Sequence, residues 1–380
     1  MEVLDVYSHP QPDQETGRSF FKVAPGIWGL KTVFVNLYFI ESNGNWVLLD
    51  TGVYGSTKKI KETAAELFGS GNKPLFILLT HGHFDHVGAV KELAEEWDVP
   101  VFAHLLELPY LTGRSSYPPP DPTVGGGGMA FMSFMYPKKP IDLSGSVVPL
   151  PEDGSVPGLP EWKWLHTPGH SHGHVSFFRP QDKVLLAGDA FITRDGESAM
   201  AVLTQHRELH GPPAYFTSDW QASKQSVQKL AELLPAVVAT GHGLPMQGEH
   251  MQLQLQELAQ YFDQLAVPEK GRYVKEPAIA DENGVIYVPP APENPVPKAL
   301  ATAGLVALAG LAVYAIAKNK KKKRLHLHGP AVMDRSYYHD EGEDHFIDDF
   351  NEEHYDDEDI FKDDPYDPLG NPRSMSNNYP

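Results

Sequence analysis

The segment THGHFDH at residues 80–86 constrains this chain more than any other feature, because four of its side chains can bind metal. These side chains are His81, His83, Asp85 and His86. The apolar run 75–79 before the segment has the length of a strand, and residues 87–93 after it have the pattern of a helix. The sequence therefore predicts a loop at the C-terminal end of a strand, where α/β folds place their sites.

The spacing within this loop suits metal binding. Successive side chains of an extended backbone point to opposite sides, so His81, His83 and Asp85 share one side, and His86 turns with the start of the helix. The loop can offer two imidazoles to one ion and a carboxylate with an imidazole to a neighbouring ion. A histidine-rich surface loop that binds metal incidentally is the alternative, but a compact cluster between strand and helix favours a metal site.

Further candidate ligands follow other predicted strands. His170, Asp189 and His242 each come shortly after an apolar run of strand length. The chain has no cysteine, so histidine and carboxylate must hold any metal. The recurrence of ligand types after strands is stronger evidence for a site than any single motif.

The chain has 380 residues, enough for one large domain or two ordinary ones, and a formal net charge of −19. Residues 331–380 contain sixteen Asp and Glu against three Lys and Arg, whereas Lys and Arg are concentrated at 318–324. The residues before this basic cluster are also acidic overall. Nucleic-acid binding needs basic surface that displaces counterions, so the acidic body argues against a nucleic-acid partner.

Apolar periodicity predicts a catalytic domain over residues 1–295, built from alternating strands and amphipathic helices. Residues 1–25 are polar with scattered prolines and are expected to be irregular. Residues 105–145 break the alternation, and we interpret them as an insertion that caps the site. The Met- and Phe-rich stretch 129–136 is typical either of ordinary core packing or of an apolar lid over a substrate pocket.

Residues 299–317 carry no charge and are just long enough to cross a bilayer, so we expect a transmembrane helix over 298–317. A helix lying on the membrane surface is the alternative, because the basic cluster after it conflicts with the positive-inside rule. The tail 318–380, basic and then acidic, is expected to be disordered and to have an unknown protein partner. No signal peptide is visible, so we expect a membrane-associated chain with a cytoplasmic catalytic domain.

These motifs together resemble those of the metallo-β-lactamase-fold hydrolases. They are HGHFDH at 81–86, His170 in Pro-Gly-His, Asp189 in Gly-Asp and His242 in Gly-His-Gly. The glyoxalase II-like and lactonase-like branches are the most similar, and the resemblance covers residues 20–265. It implies the α/β class and a four-layer αβ/βα sandwich with metals at the edge between its two sheets.

The resemblance also implies a site for two divalent metal ions. The implied ligands are His81, His83 and His170 for the first ion, Asp85, His86 and His242 for the second, and Asp189 as a bridge. Zinc is expected, although iron or manganese fits the same ligands. The implied reaction is hydrolysis of a small ester, thioester or lactone, in which a metal-bound hydroxide attacks the carbonyl. Asp85 would be the catalytic residue that holds the proton and passes it to the leaving group.

Two other functions remain open. Persulfide-oxidising relatives with a mononuclear iron share the same His and Asp set. Flavodiiron relatives carry Glu at the position of His83, so the histidine disfavours an oxygen-reducing di-iron centre. A non-enzymatic alternative is a membrane-attached adaptor that acts through its acidic tail, although the complete set of seven ligands argues against an idle catalytic domain.

Several polar residues beside the ligands are expected to support them. Asp50, which follows a predicted strand, is expected to anchor the metal loop by hydrogen bonds. Three further histidines flank His170 and are expected to be structural or to orient the ligands: His166, His172 and His174. Three cap residues could meet the polar end of a substrate, but a solvated loop is the favoured interpretation: Tyr110, Arg114 and Tyr117.

Overall fold

Two mixed β-sheets form the centre of the structure, a computed structural model that describes residues 20–125, 127–193 and 208–292. The first sheet has seven strands whose spatial order follows the chain. They are β1 (Phe20–Ala24), β2 (Ile27–Thr32), β3 (Val35–Ser42), β4 (Asn45–Leu49), β5 (Ile77–Leu78), β6 (Val101–Ala103) and β7 (Val147–Pro149). Strands β1 to β4 pair antiparallel, and β4 to β7 pair parallel.

The second sheet has five strands in the order β12-β11-β10-β9-β8. They are β8 (Lys163–His166), β9 (Val175–Arg179), β10 (Val184–Gly188), β11 (Val237–Thr240) and β12 (Met246–Gln247). Only β10 and β11 pair parallel, and the other neighbours are antiparallel. The strands β5, β10 and β11 each lead into a loop that holds candidate ligands.

The alternation of side chains along the strands sorts the core into layers. On β3, Tyr38 and Ile40 pack between the two sheets, whereas Leu37 and Phe39 pack on the opposite face, toward the helices. All four side chains are buried, with 2 % or less of their surface exposed. A strand that is apolar at every position must bury both faces, so these residues require a covering layer on each side.

Amphipathic helices supply the two outer layers. Helices α1 (Thr57–Phe68) and α2 (Val90–Trp97) pack on the first sheet, and α5 (Trp220–Glu232) and α6 (Glu249–Gln260) pack on the second. The remaining helices are short: α3 (Leu108–Leu111), α4 (Gly128–Met132) and α7 (Phe262–Leu265), with 3₁₀ turns at Leu105–Glu107 and Ser133–Met135. The result is the mixed α/β arrangement of four layers, αβ/βα, that the resemblance implied.

The apolar pattern of the sequence predicts strands at 34–40 and 46–49 joined by a hairpin loop at 42–45, and the structure confirms this hairpin. Strands β3 and β4 are joined at Asn43 and Gly44, which have φ angles of 52° and 76°. Both residues of a tight two-residue hairpin turn need positive φ, and the Asn-Gly pair adopts it readily.

The expectation of irregular structure before residue 25 is wrong for residues 20–24, which form β1. Its apolar alternation is interrupted because the pairing register with β2 shifts between Lys22 and Ala24. A bulge of this kind breaks the period of two on which strand prediction depends. A second difference lies at 249–266, where the apolar spacing of the sequence predicts one amphipathic helix but the structure has two, α6 and α7, divided at Tyr261.

A C-terminal hairpin, β13 (Ile279–Asp281) and β14 (Gly284–Tyr287), packs against the predicted cap. The backbone N–H of Val285 donates to Ser115 Oγ at 3.1 Å. A Cβ at Gly284 would lie 2.2 Å from the Ser115 Cβ, so only glycine permits this close approach.

The transmembrane helix predicted at 298–317 and the tail at 318–380 lie outside the residues that the structure describes. Within 20–125, 127–193 and 208–292, every helix is too short or too polar to cross a bilayer. The membrane helix therefore stays a prediction.

Two matched leucine substitutions test the layered core. Leu37→Ala should lower the free energy of unfolding by about 2–5 kcal/mol, because the fully buried side chain leaves a cavity between the first sheet and its helices. Leu253→Ala removes the same atoms from a side chain that is 61 % exposed and should cost less than about 0.5 kcal/mol. Urea titration of both variants measures the difference, and equal losses would contradict the layer assignment.

Candidate metal centre

The candidate ligands converge at the edge of the sandwich where several strands end. His81 follows β5 of the first sheet, and Asp189 and His242 follow β10 and β11 of the second sheet. His170 lies in the loop between β8 and β9. Main-chain hydrogen bonds join the two sheets here, since Val175 N–H donates to the Thr80 carbonyl at 3.0 Å. Loops far apart in the sequence therefore meet in one buried cluster.

Seven buried side chains form three overlapping groups of possible metal ligands. The groups are His81, His83 and His170; His81, His86 and Asp189; and Asp85, His86 and His242. Within each group the potential ligand atoms lie within 4.8 Å of one another. The first and third groups are the two sets that the resemblance implied, and Asp189 lies between them.

Asp189 has the position of a bridging ligand. Its Oδ2 lies 3.1 Å from His242 Nε2, 3.6 Å from His86 Nε2 and 3.5 Å from His170 Nε2. The carboxylate therefore faces histidines of both groups. A shared carboxylate in this place can partly neutralise two cations and fix their separation.

Asp50 orients the metal loop, as expected from the sequence. Its Oδ1 accepts from the Thr80 N–H, and its Oδ2 accepts from the Thr80 hydroxyl, both at 2.8 Å. Oδ2 also lies 2.8 Å from His86 Nδ1. Because the carboxylate is an acceptor, Nδ1 of His86 carries a proton, and Nε2 is the nitrogen that faces the cluster.

Thr80 extends this arrangement to His81. The Thr80 hydroxyl donates its proton to Asp50, so it can only accept from His81 Nδ1, 3.0 Å away. The Nε2 lone pair of His81 is then directed into the cluster. On the opposite side, His242 Nδ1 lies 3.1 Å from the Phe34 carbonyl and donates to it, so Nε2 is the nitrogen that faces the cluster, 3.1 Å from Asp189 Oδ2.

Of the three flanking histidines, His174 supports a ligand directly. It is fully buried, and its Nε2 accepts from the Asp189 N–H at 2.9 Å, while Nδ1 faces Thr167. The other two make contacts farther out. His166 lies 2.8 Å from the His172 carbonyl, and His172 lies 3.0 Å from the Ala278 carbonyl. All three thus have the structural or orienting roles expected of them.

The unpaired atoms of the cluster fit a cation. Four buried atoms have no hydrogen-bond partner among the described residues: His81 Nε2, His86 Nε2, His170 Nδ1 and Asp189 Oδ1. His83 Nδ1 and His170 Nε2 face each other at 3.0 Å. Buried polar groups are normally paired, and an imidazole–carboxylate set without thiolate suits zinc, iron or manganese.

The histidines of the two groups of ligands differ in the direction of their pKa shifts. Burial lowers the pKa of His81, His83 and His170, and neighbouring imidazoles add to the effect, with His83 reaching about 3. Burial also opposes charge on His86 and His242, but the nearby carboxylates, Asp189 above all, outweigh it and raise both pKa values. The pKa of Asp189 is well below its usual range, because His242 and His86 outweigh the effect of its burial. The first group is thus neutral, while the second attracts protons.

The sequence interpretation missed two supporting residues in the cap. Glu107 is fully buried and accepts hydrogen bonds from both ligand loops, and Tyr117, expected in a solvated loop, is only 5 % exposed and donates to it. Tyr110 is also buried and stacks on Tyr117 at 3.9 Å between ring centroids. One signal could have located Glu107: it follows β6, the next parallel strand after β5, at the same end of the sheet.

Aromatic rings enclose the first group. Phe216 stacks on His83 with ring centroids 4.4 Å apart, and Tyr117 lies at the same distance from that imidazole. From the cap, Tyr136 contacts Phe84 at 5.4 Å. The cap stretch 129–136 is neither wholly core nor wholly lid, since Tyr136 packs inward while others such as Phe131 are partly exposed.

Metal analysis tests the ligand set. The full chain should bind about two divalent ions, and His170→Ala should retain about one, because it removes an imidazole only from the first group. His172→Ala is the matched control, since this neighbouring side chain contacts the Ala278 carbonyl rather than the cluster. Equal metal content in both variants would contradict the assignment.

The two groups of ligands should release different numbers of protons when they bind zinc, because their histidines have different pKa values. His86 and His242, whose pKa values are raised, must lose protons when an ion binds, so the His170→Ala variant should release protons on zinc binding near neutral pH, and its affinity should rise with pH. The His242→Ala variant keeps the first group, whose histidines have lowered pKa values, and it should release few protons on zinc binding. Calorimetry in buffers of different ionisation enthalpy measures this, and equal release would contradict the electrostatic assignment.

Comparison with known proteins agrees with this architecture. A family profile described as the metallo-beta-lactamase superfamily matches residues 30–242. The probable metallo-hydrolase YflN of Bacillus subtilis is 48% identical over 242 residues, which cover 63% of this chain and 92% of that protein. The hydroxyacylglutathione hydrolase GloC of Haemophilus influenzae is 32% identical over 120 residues, which cover 30% of this chain and 48% of that protein.

A solved structure is also similar. The protein TTHA1623, described in a di-iron-bound form, is 31% identical, and the match covers 58% of this chain and 92% of that chain with a TM-score of 0.39. The family profile spans more than half of the present sequence. The resemblance inferred from the motifs is therefore confirmed, and this chain belongs to the metallo-beta-lactamase superfamily of metallo-hydrolases.

Proposed function

We propose that this chain hydrolyses a small ester, thioester or lactone with the help of two divalent metal ions, zinc being the expected metal. One observation carries the proposal: two groups of inward-facing ligand atoms meet at Asp189. His81, His83 and His170 would hold one ion, and Asp85, His86 and His242 would hold the other. Asp189 would bridge the two.

The residues have complementary tasks in this reaction. A bound pair of divalent ions would lower the pKa of water and polarise the carbonyl of the substrate. Hydrogen bonds hold the ligands in position. Asp50 bonds to His86, the Phe34 carbonyl bonds to His242, and His174 bonds to the backbone N–H of Asp189. Preorganised ligands need little rearrangement as charge develops on the carbonyl oxygen.

Asp85 is the best placed proton carrier. Its carboxylate lies 3.6 Å from His242 Nε2 and is 5 % exposed. Burial raises the pKa of Asp85 and outweighs the opposing effect of His86 and His242. A carboxylate beside the two ion positions could take a proton from the attacking water and return it to the leaving group.

The substrate class rests on two supports. The name of the Haemophilus influenzae relative describes hydrolysis of a hydroxyacyl group on glutathione, which is a thioester. In this chain Phe216 stacks on His83 of the first group, and Phe84 and Tyr136 pack against Phe216. Apolar walls with a few convergent polar groups are typical of sites for small molecules.

Asp85→Asn tests the proton-carrying role. The amide cannot accept and return a proton, so kcat toward activated thioesters or lactones should fall by about 10²–10⁴-fold, whereas KM should change little. Metal content should be measured on the same sample, because it separates loss of proton transfer from loss of an ion. Steady-state kinetics of the zinc-loaded full chain provide the measurement.

Asp98→Asn is the matched control. Asp98 is exposed after α2 with a φ of 49°, a conformation that asparagine adopts as readily as aspartate. This variant should keep full activity. A panel of thioesters, esters and lactones that gives no metal-dependent turnover with the unmodified chain would overturn the proposed function.

A further inference from the structure

Glu107 is a buried carboxylate at the end of the 3₁₀ turn Leu105–Glu107, and its oxygens face four hydrogen-bond donors. Its Oε2 accepts from the Gly82 N–H at 2.9 Å and from the Tyr117 hydroxyl. Its Oε1 accepts from the Ser171 hydroxyl at 2.7 Å and from the Gly173 N–H at 3.0 Å. An ionised carboxylate is an acceptor at each of these positions, so it satisfies all four donors at once.

Three of the four donors belong to the two loops that provide the first group of ligands, and the fourth, Tyr117, belongs to the cap. Gly82 lies between His81 and His83 in the loop after β5 of the first sheet. Ser171 directly follows His170 in the loop between β8 and β9 of the second sheet. Glu107 thus joins two loops that come from different sheets and that share the task of presenting three imidazoles.

The packing around Glu107 leaves no space for a side chain at Gly82 or Gly173. A Cβ at Gly82 would lie 2.7 Å from Tyr117 Oη, and a Cβ at Gly173 would lie 2.7 Å from Glu107 Cγ. Glycine at both positions therefore lets the backbone N–H groups reach the carboxylate. The ring of Tyr117 packs on His83 as well, so the hydroxyl that donates to Glu107 belongs to a side chain that also touches a ligand.

The second group of ligands is held by different contacts. His86 is fixed by Asp50, and His242 is fixed by the Phe34 carbonyl. The hydrogen bonds of Glu107 reach neither residue. Glu107 therefore contacts only the loops of the first position, whereas Asp50 holds His86 directly and His81 through Thr80.

We propose that Glu107 is a positioning residue that sets the alignment of His81, His83 and His170, and thereby the metal affinity of the first position alone. This inference rests on the proposed function, since it concerns one half of the proposed metal centre. It assigns Glu107 a role distinct from that of Asp50, which reaches ligands of both positions.

Single-site variants of the full chain separate the two positions. His242→Ala removes a ligand of the second position, and His170→Ala removes a ligand of the first. Glu107→Gln is added to each variant, because its amide places an N–H₂ group against N–H donors and breaks part of the array. Zinc dissociation constants are measured by competition with a chromophoric chelator, and cobalt absorption spectra report the ligand environment.

Glu107→Gln should weaken zinc binding by about 10–100-fold in the His242→Ala background and should alter its cobalt spectrum. In the His170→Ala background the dissociation constant should change by less than about 3-fold, since a loss near 10-fold would mark an outer-shell contact. Ser171→Ala, which removes one donor and is less disruptive, should show the same selectivity with a smaller loss. Asp121→Asn is the matched control, because this buried carboxylate accepts from Thr123 and Arg272 rather than from the ligand loops.

The outcomes distinguish this inference from the proposed function. Unmodified chain that binds no zinc would overturn both. Normal zinc binding by the unmodified chain, with equal loss in both backgrounds or no loss in the His242→Ala background, would overturn only the role of Glu107. A loss confined to the His242→Ala background, absent in Asp121→Asn, would support it.

Discussion

The buried carboxylate of Asp189 is the constraint on which the rest of the centre depends. It is 2 % exposed, and its Oδ2 lies 3.1–3.6 Å from imidazole nitrogens of His242, His170 and His86. A buried negative charge is costly unless opposite charge faces it. Three loops must therefore bring cations or protons to this point, and the arrangement that neutralises Asp189 is also one that can hold metal ions.

The layered fold makes this convergence possible. The ligands lie in loops at the strand ends, along one edge of the two sheets. Behind this edge the apolar faces of β3 and β10 pack the two sheets against each other. Hydrogen bonds then fix each ligand from outside the cluster: Asp50 for His86, the Phe34 carbonyl for His242, and His174 for the Asp189 backbone. Such contacts set both the tautomer and the direction of an imidazole, so the ligand atoms face one another before any ion binds.

The sequence was sufficient for those features that depend on local pattern. Strand length before residues 80–86 and ligand types after other strands predicted which side chains would meet, and the structure brings them together. It was insufficient where the partner of a residue lies far away in the chain. Glu107 and Tyr117 belong to a cap without apolar periodicity, and only the folded chain brings them against Gly82 and Ser171. Strand β1 was missed for another reason, since its register shift hides the alternation.

Anomalous diffraction at the zinc absorption edge, on crystals of the full chain grown with zinc, would locate the bound ions. Two peaks about 3.5–4 Å apart are expected, as in other two-metal sites. One should lie among His81, His83 and His170, the other among Asp85, His86 and His242, with Asp189 touching both. A single peak, or peaks that lie away from Asp189, would contradict a shared two-metal centre.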